Sequence, residues 1–396
     1  MENVVIVNAK RTAFGNLGGK LAPIYPVPMA AFLVNEVIKD LIDPADIDML
    51  ILGKVQDNAE GNSPVRQVAL TAGWPKNTNC LLTERACCSS MYAIGTAFEK
   101  IACDRAKIIV AGGFESLSNT PYSLPQLRFG ARLGDITIAD PLVIRNPALG
   151  RPNAAVAGEV ALEYGQDREA QDRYGLQSQL RAANAQAKGW LAEEIVPIEV
   201  PQKKGAPIIF DQDEHIRPNS TYEALEKMKP VYGSPTVTAG NASGLNDGAT
   251  ALLIMSESEA KARGLKPLIR IVEYSSLSID PSRSATLPAE GVMAILKKTG
   301  MTLDQMEILE MNEAFAAMPL VSMQILGEKD PKKVEKLNAI TNVNGGAIAI
   351  GHPTGATGGR MTMTMMYEML RKGYKYGCAS ICGAIGQADA VILEAI

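Results

Sequence analysis

Histidine is nearly absent from this chain: His215 and His352 are the only two in 396 residues. Any imidazole chemistry must use one of them. An excess of positive charge is also missing. Thirty-nine Lys and Arg stand against 43 Asp and Glu, a net charge of −4, so no basic field attracts nucleic acid or anionic lipid. No apolar run approaches the ~18 residues needed to cross a bilayer. The six cysteines, Cys80, Cys87, Cys88, Cys103, Cys378 and Cys382, lack the doubled C-x2-C spacing of a zinc site. They read as thiols of a reducing compartment and not as a disulfide framework. The opening MENVVIVNAKRT runs from a short charged start into a strand, unlike a signal peptide. These absences predict a cytoplasmic protein with no metal, no membrane and no nucleic-acid partner.

What is present suits a large globular chain. Hydrophobic residues make up 46% and charged residues 21%. At ~100–200 residues per domain, this length implies two or three domains or one doubled fold. VVIVNA (4–9), DIDMLILGKV (46–55), NCLLTER (79–85) and AKIIVAGG (106–113) read as strands. AAFLVNEVIKDL (30–41), NSPVRQVALTAG (62–73) and the segment after Ser89 read as helices, the last with Met91, Ile94, Phe98 and Ile101 on one face. Alternating β and α elements predict an α/β fold. From about 118 to about 240 the strands fade. One long helical pattern, 167–189, stands in this stretch, which reads as an inserted lid region.

The two ends of the chain echo each other. DPADIDMLILGKV (43–55) resembles TLDQMEILEMNEAFA (302–316). Cys87 is followed by a helix, a basic turn, a strand and Gly112-Gly113. His352 is followed by a helix, a basic turn, the strand CASIC and Gly383. The pattern predicts a duplicated half, with Cys87 and His352 meeting across a pseudo-twofold axis.

Several residues could carry chemistry. Cys87, in ERACCSSMYA, lies between a strand and a helix N-terminus, a location that lowers a thiol pKa. A lone cysteine is more often a small buried hydrophobe. Cys88 reads as structural. His352 sits among Gly345, Gly346, Gly351, Gly355 and Gly358 in NGGAIAIGHPTGATGGR. Glycines let a backbone approach a ligand, and Pro353 suits the first turn of a helix. Neither G-x-x-x-x-G-K-[ST] nor G-x-G-x-x-G is present. Cys378 and Cys382 lie ~13 Å apart on one strand face, too far for a disulfide, so Cys382 reads as a single functional thiol. Asn312 and Glu313 open NEAFAA after a strand. From the residues alone they read as a helix cap, with the alternative of holding a water aimed at a carbonyl oxygen.

ERACCSS, TAGNASGLNDGA, NEAFA, GGAIAIGHPTGATGGR and CGAIGQAD occur in this order, with VVIVNAKRTAFGNLGGKL and AGGFESLSNTPY before or among them. Together they resemble the thiolase family across essentially the whole chain. The resemblance implies a five-layered αβαβα fold of two duplicated halves. The division it suggests is 1–118 with 241–270 as the first half, 119–240 as the inserted loop domain, and 271–396 as the second half. It implies a homodimer or homotetramer acting on coenzyme A thioesters, with no permanently bound cofactor. By analogy Cys87 carries the acyl group and His352 activates it. His352 also forms an oxyanion hole with a water on Asn312. Cys382 is the acid/base at the acetyl α-carbon. The backbone N–H groups of Cys87 and Ala384 form a second oxyanion hole. Ser243 lies near pantetheine, Arg217 partners a coenzyme A phosphate, and His215 faces solvent or the coenzyme.

The sequence also departs from the family. Thr83-Glu84 and Cys88-Ser89-Ser90 replace a valine-asparagine pair and a glycine-serine-glycine. Cys382-Gly383-Ala384-Ile385-Gly386 carries fewer glycines than usual. NPALGRPNAAVAGEVALEYG replaces a histidine-methionine-glycine stretch of acetoacetyl-specific members. These changes are expected to line the acyl pocket. The resulting expectation is a 3-oxoacyl-CoA thiolase with a branched, aromatic or dicarboxylic acyl group. The alternatives are an acetoacetyl-CoA thiolase and an acyl-CoA-binding subunit that needs a partner, and a small accessory subunit is a further possible partner. A decarboxylating condensing enzyme would need a histidine where Cys382 stands.

Overall fold

The computed structural model describes residues 2–143, 145–146 and 150–396. Ten strands join into one mixed sheet. In chain order they are β1 (Val4–Arg11), β2 (Gly15–Asn16), β3 (Met49–Gly53), β4 (Asn79–Thr83), β5 (Ile108–Ser116), β6 (Asn246–Ser256), β7 (Ile269–Ser278), β8 (Ile308–Met311), β9 (Tyr376–Gly383) and β10 (Gln387–Glu394). The sheet order is β8-β9-β10-β7-β1-β6-β5-β3-β4, with β2 paired to β6.

The order repeats. β3-β5-β6-β1 and β8-β9-β10-β7 each begin with a parallel pair and continue antiparallel. The first half adds β4 at its edge. The halves join through only three residue pairs, Val4–Ile271, Val5–Arg270 and Ile6–Ile269. β7 starts at Ile269, two residues before the boundary expected at 271.

Five layers follow from which face each side chain takes. Successive residues of a strand point to opposite faces. In β1, Val5 and Val7 join a cluster with helix α1 (Pro26–Ile38), while Val4 and Ile6 join the central cluster. A strand buried on both faces needs an unbroken apolar run, which is what VVIV supplies. The central layer is helix α2 (Ser89–Ala102) and helix α7 (Thr357–Lys372), and each packs on strands of both halves. α1 covers the outside of the first half and α5 (Leu287–Thr299) the outside of the second. The helix expected from residue 30 begins at Pro26, because prolines occupy its first turn, where no N–H partner is needed.

Between β5 and β6 lies the inserted region, with helices α3 (Asn153–Glu163) and α4 (Arg168–Ala187). The side chain of Asp167 accepts the N–H of Ala170 and starts α4 where the sequence pattern places it. Tyr174 and Ser178 of α4 donate to the buried Glu313 carboxylate at 3.1 and 2.7 Å. That bond set seats the inserted region on the second half. Among the described residues no helix is long and apolar enough to cross a membrane.

Candidate active site

The two repeats bring their matching ends together. Cys87 ends the turn before α2, and His352 lies in the loop before α7. Nε2 of His352 stands 3.2 Å from Sγ of Cys87, although 265 residues separate them.

The hydrogen bonds around His352 assign its tautomer. Thr357 has one hydroxyl proton and gives it to the Pro353 carbonyl at 2.9 Å. The same oxygen lies 2.7 Å from Nδ1, so Nδ1–H donates to it. The Nε2 lone pair is therefore left facing the Cys87 thiol. Burial, and then the Arg360 charge, lower the His352 pKa to about 3. The imidazole is neutral at pH 7 and free to accept a proton. Pro353 does not open a helix as expected. It sits in the loop, and α7 starts at Thr357.

Glycine is required at two places here. Gly351 has φ +112°, and a Cβ there would lie 2.7 Å from Cγ of Asn246. Asn246 accepts the His352 N–H at 2.9 Å, so a side chain at 351 would push away the group that holds the imidazole. A Cβ on Gly113 would lie 2.0 Å from the Gly355 carbonyl oxygen. Beside it the Glu115 carboxylate accepts from the Thr354 hydroxyl at 2.8 Å and from the Gly355 N–H at 3.1 Å.

Cys87 does not have the lowered pKa expected from its place before a helix. Burial pushes it up, and the neighbouring Cys382 adds to the rise. The N–H groups of Cys87 itself and of Ala384 reach its sulfur and offset part of this. Desolvation of a buried thiolate outweighs one helix N-terminus, so the thiol needs a base.

Cys382 ends β9 and is 4% exposed. Burial raises its pKa to about 11, while the amide of Asn312 lowers it by donating to the sulfur at 3.6 Å. Asn312 is not a helix cap. Helix α6 (Ala317–Leu326) begins five residues later, and Ala316 is the residue that precedes it. Oδ1 of Asn312 is buried without a protein partner. Glu313 is not a cap either. Besides Tyr174 and Ser178, it accepts from Asn342 and from the Ile348 N–H.

Cys87, His352, Cys382 and Ala384 line one cavity of about 180 Å³. Ser243 lines it as well. Its N–H bonds the Ala314 carbonyl, which ties the NASG loop to the NEAFA loop. Arg217 is exposed and does not line the cavity. His215 is not a solvent-facing group. It is half-buried, with Nδ1 2.6 Å from Oδ1 of Asn16 and its ring packed against Gly244.

The residues that depart from the family mostly face away from the cavity, contrary to expectation. Thr83 donates to the Ser89 carbonyl at 2.9 Å, and Ser89 accepts the Arg85 N–H at 2.9 Å. Ser90 accepts the Gly359 N–H, and Cys88 packs on the Ile381 carbonyl. Glu84 is exposed and accepts the N–H of Ala86, whose φ is +49°. These groups shape the turn that presents Cys87. Only Ala384, and Pro152, Asn153 and Ala154 from the altered loop, reach the cavity wall; the part of that loop at 147–149 lies outside the described residues. Thr357, Asn246 and Glu115, which hold the His352 loop, were not singled out from sequence. The last two stand inside GLNDG and FESLSN, but their partners are distant in sequence.

Comparison with known proteins agrees with this geometry. The thiolase N-terminal domain model matches residues 4–258 and the C-terminal domain model residues 265–395. An acetyl-CoA acetyltransferase of Thiocystis violacea is 39% identical, with 99% of each chain covered. One from Chromobacterium violaceum is 41% identical, covering 98% of this chain and 99% of the relative. The Bacillus anthracis acetyl-CoA acetyltransferase superposes with a TM-score of 0.95 at 36% identity, covering 100% of this chain and 99% of that one. Human mitochondrial 3-ketoacyl-CoA thiolase in complex with CoA superposes at 0.93 and 37% identity, covering 100% and 98%. Repeated topology, paired thiols beside one imidazole and whole-chain similarity converge: the chain belongs to the thiolase family of acyltransferases.

Proposed function

We propose that the protein is a 3-oxoacyl-CoA thiolase. It uses coenzyme A to cleave a 3-oxoacyl-CoA into acetyl-CoA and a shortened acyl-CoA, or runs the reverse condensation. The observation that carries this is the 3.2 Å approach of His352 Nε2 to Cys87, with Cys382 in the same cavity.

The chemistry follows from the protonation states. His352 takes the Cys87 proton as the sulfur attacks the 3-oxo carbon, forming the C–S bond. The bond between C2 and C3 then breaks, and its electron pair passes to C2 as the enolate of acetyl-CoA. Cys382, a protonated thiol at neutral pH, gives that carbon its proton. Coenzyme A then enters and loses its thiol proton to the Cys382 thiolate. Its sulfur attacks the acyl carbon, and Cys87 departs and regains the proton held on His352. The N–H groups of Cys87 and Ala384 hold the acyl oxygen, and His352 with a water on Asn312 holds the thioester oxygen. The orphaned Oδ1 of Asn312 supports that water position.

Ser243 contacts pantetheine, and Arg217, on the surface, meets a coenzyme phosphate. Coenzyme A is a substrate here and not a resident cofactor. We divide the chain at 118, 240 and 270, and infer a cytoplasmic homo-oligomer. A second reading, acetoacetyl-CoA thiolase, is favoured by the names of the bacterial relatives.

Intact-protein mass spectrometry after incubation with 3-oxoacyl-CoA esters tests the reaction class. Wild type is expected to gain one acyl group and release acetyl-CoA. Cys87→Ala is expected to gain none. An adduct on the variant, or none on wild type, would overturn the proposal.

A further inference from the structure

Apart from the reacting groups, the cavity wall is largely apolar, with Leu142, Ala154, Leu287, Phe315 and Met318 in it. One buried hydroxyl in it is unpaired. Ser284 lies in the segment Pro281–Thr286 that leads from β7 into α5, lines the cavity, and is 7% exposed. Its Oγ has no hydrogen-bond partner in the protein. The other polar side chains of the wall are accounted for differently, Ser243 being the one assigned above to pantetheine. Thr354 is bonded to Glu115, Asn153 is engaged within the protein, and Tyr232 is 57% exposed at the rim.

An unpaired hydroxyl in such a place has no internal reason to exist. Its neighbours Ala285 and Leu287 pack in an apolar cluster with Val160 and Val321, where alanine would fill the same space without a desolvated oxygen. No partner holds its rotamer, so Oγ can turn about the Cα–Cβ bond among its staggered wells to meet a ligand.

The wall also selects the charge of that ligand group. Arg283, next in sequence, points away and pairs with Glu163 at 2.6 Å. Among the described residues that line the cavity, none carries a charged side chain, since His352 is neutral at pH 7. From those residues a carboxylate would receive no counter-charge, and burial penalises an uncompensated charge heavily.

We propose that Ser284 is a specificity-determining residue: it receives a neutral hydrogen-bonding group, a hydroxyl or carbonyl, carried on the acyl chain of the substrate. This rests on the thiolase reading and narrows it. It removes dicarboxylic acyl groups from the substrates expected from sequence.

The test is thiolytic cleavage of 3-oxoacyl-CoA esters from butanoyl to octanoyl. Each is paired with the same chain bearing a terminal hydroxyl and, from pentanoyl on, with a terminal carboxylate. The hydroxylated ester of the best-fitting length should have a kcat/KM about 10-fold above its plain partner, the order expected for one neutral hydrogen bond. In Ser284→Ala that ratio should fall to about one, with Ser284→Thr restoring part of it. Equal rates for hydroxylated and plain esters at every length, a ratio unchanged in Ser284→Ala, or a preference for the carboxylate would each overturn the proposal while leaving the thiolase reading intact. Failure to cleave any ester, with no adduct on Cys87, would overturn both.

Discussion

At the scale of the residue, one physical cause acts in opposite directions on the two partners of the site. Burial favours the uncharged form of each group. It lowers the His352 pKa to about 3, raises Cys87 and takes Cys382 to about 11. The pair is thus held as neutral thiol and neutral imidazole, and in the mechanism we propose charge develops only as the substrate is attacked. The helix start that marks Cys87 in the sequence predicts the reverse shift, because desolvation is invisible until packing is known. His215 offers a clean titration test, since its pKa is lowered to about 4 by burial and then by Arg217. Between about pH 6.5 and 4 the unfolded chain binds a proton at this histidine that the folded chain refuses. This contribution is absent above pH 6.5, and stability is lost as pH falls through that window, by about 1.4 kcal/mol per pH unit. His215→Asn should therefore lose less stability than wild type on acidification, measured by urea unfolding across that window. Parallel pH dependences for the two proteins would refute it.

At the scale of the element, the hairpin after Cys382 carries a local conflict. Ile385 sits at φ +64° and Gly386 at φ +78° in the turn between β9 and β10. The left-handed region costs a side chain with a Cβ about 1–2 kcal/mol. Ile385→Gly should relieve more strain than it adds in chain entropy, a net gain of up to about 1 kcal/mol and a rise in Tm of about 1–2 °C by calorimetry. A lower Tm would mean that the side chain, 46% exposed in the monomer, is packed in the working assembly. The turn is tied to the Cys87 side by Arg85, which bonds Asp389 of β10 at 2.8 Å. Such links explain what was illegible at this scale. Asn312 looks like a cap because Asn at a strand-to-helix junction usually is one. Its actual partner, Cys382, is 70 residues away, and no local pattern reports it.

At the scale of the whole molecule, the duplicated topology is the device that makes the site. Neither half contains both Cys87 and His352, the proposed nucleophile and base, and the three-pair seam between β1 and β7 lets the halves face each other across α2 and α7. The inserted region then presents apolar side chains with nothing over them in the monomer, including Phe129 at 96% and Leu133 at 106% exposure. Isolated exposed apolar residues need no explanation, but a cluster within one segment marks an interaction surface. On the homo-oligomer we propose, the expected occupant is a second copy of the chain. Leu133→Glu should weaken self-association at least about 10-fold, read by analytical ultracentrifugation over a dilution series. An unchanged association constant would rule this surface out.

Residue order alone establishes the elements and their repetition. VVIV, MLILG and IIVAGG are apolar on both faces wherever they are placed, and the echo of Cys87-helix-strand by His352-helix-strand follows from residue order alone. The motifs also named Cys87, His352 and Cys382. Tertiary structure decided what those residues are electrostatically, because pKa depends on burial and on neighbours hundreds of residues away. It also decided which departures matter. Ser89 and Ser90 are consumed by backbone bonds around the nucleophile, while Ser284, unremarkable in the sequence, is left without a partner in the cavity wall. Hydrogen-bond satisfaction is a property of the assembled surroundings, and a linear pattern does not contain it.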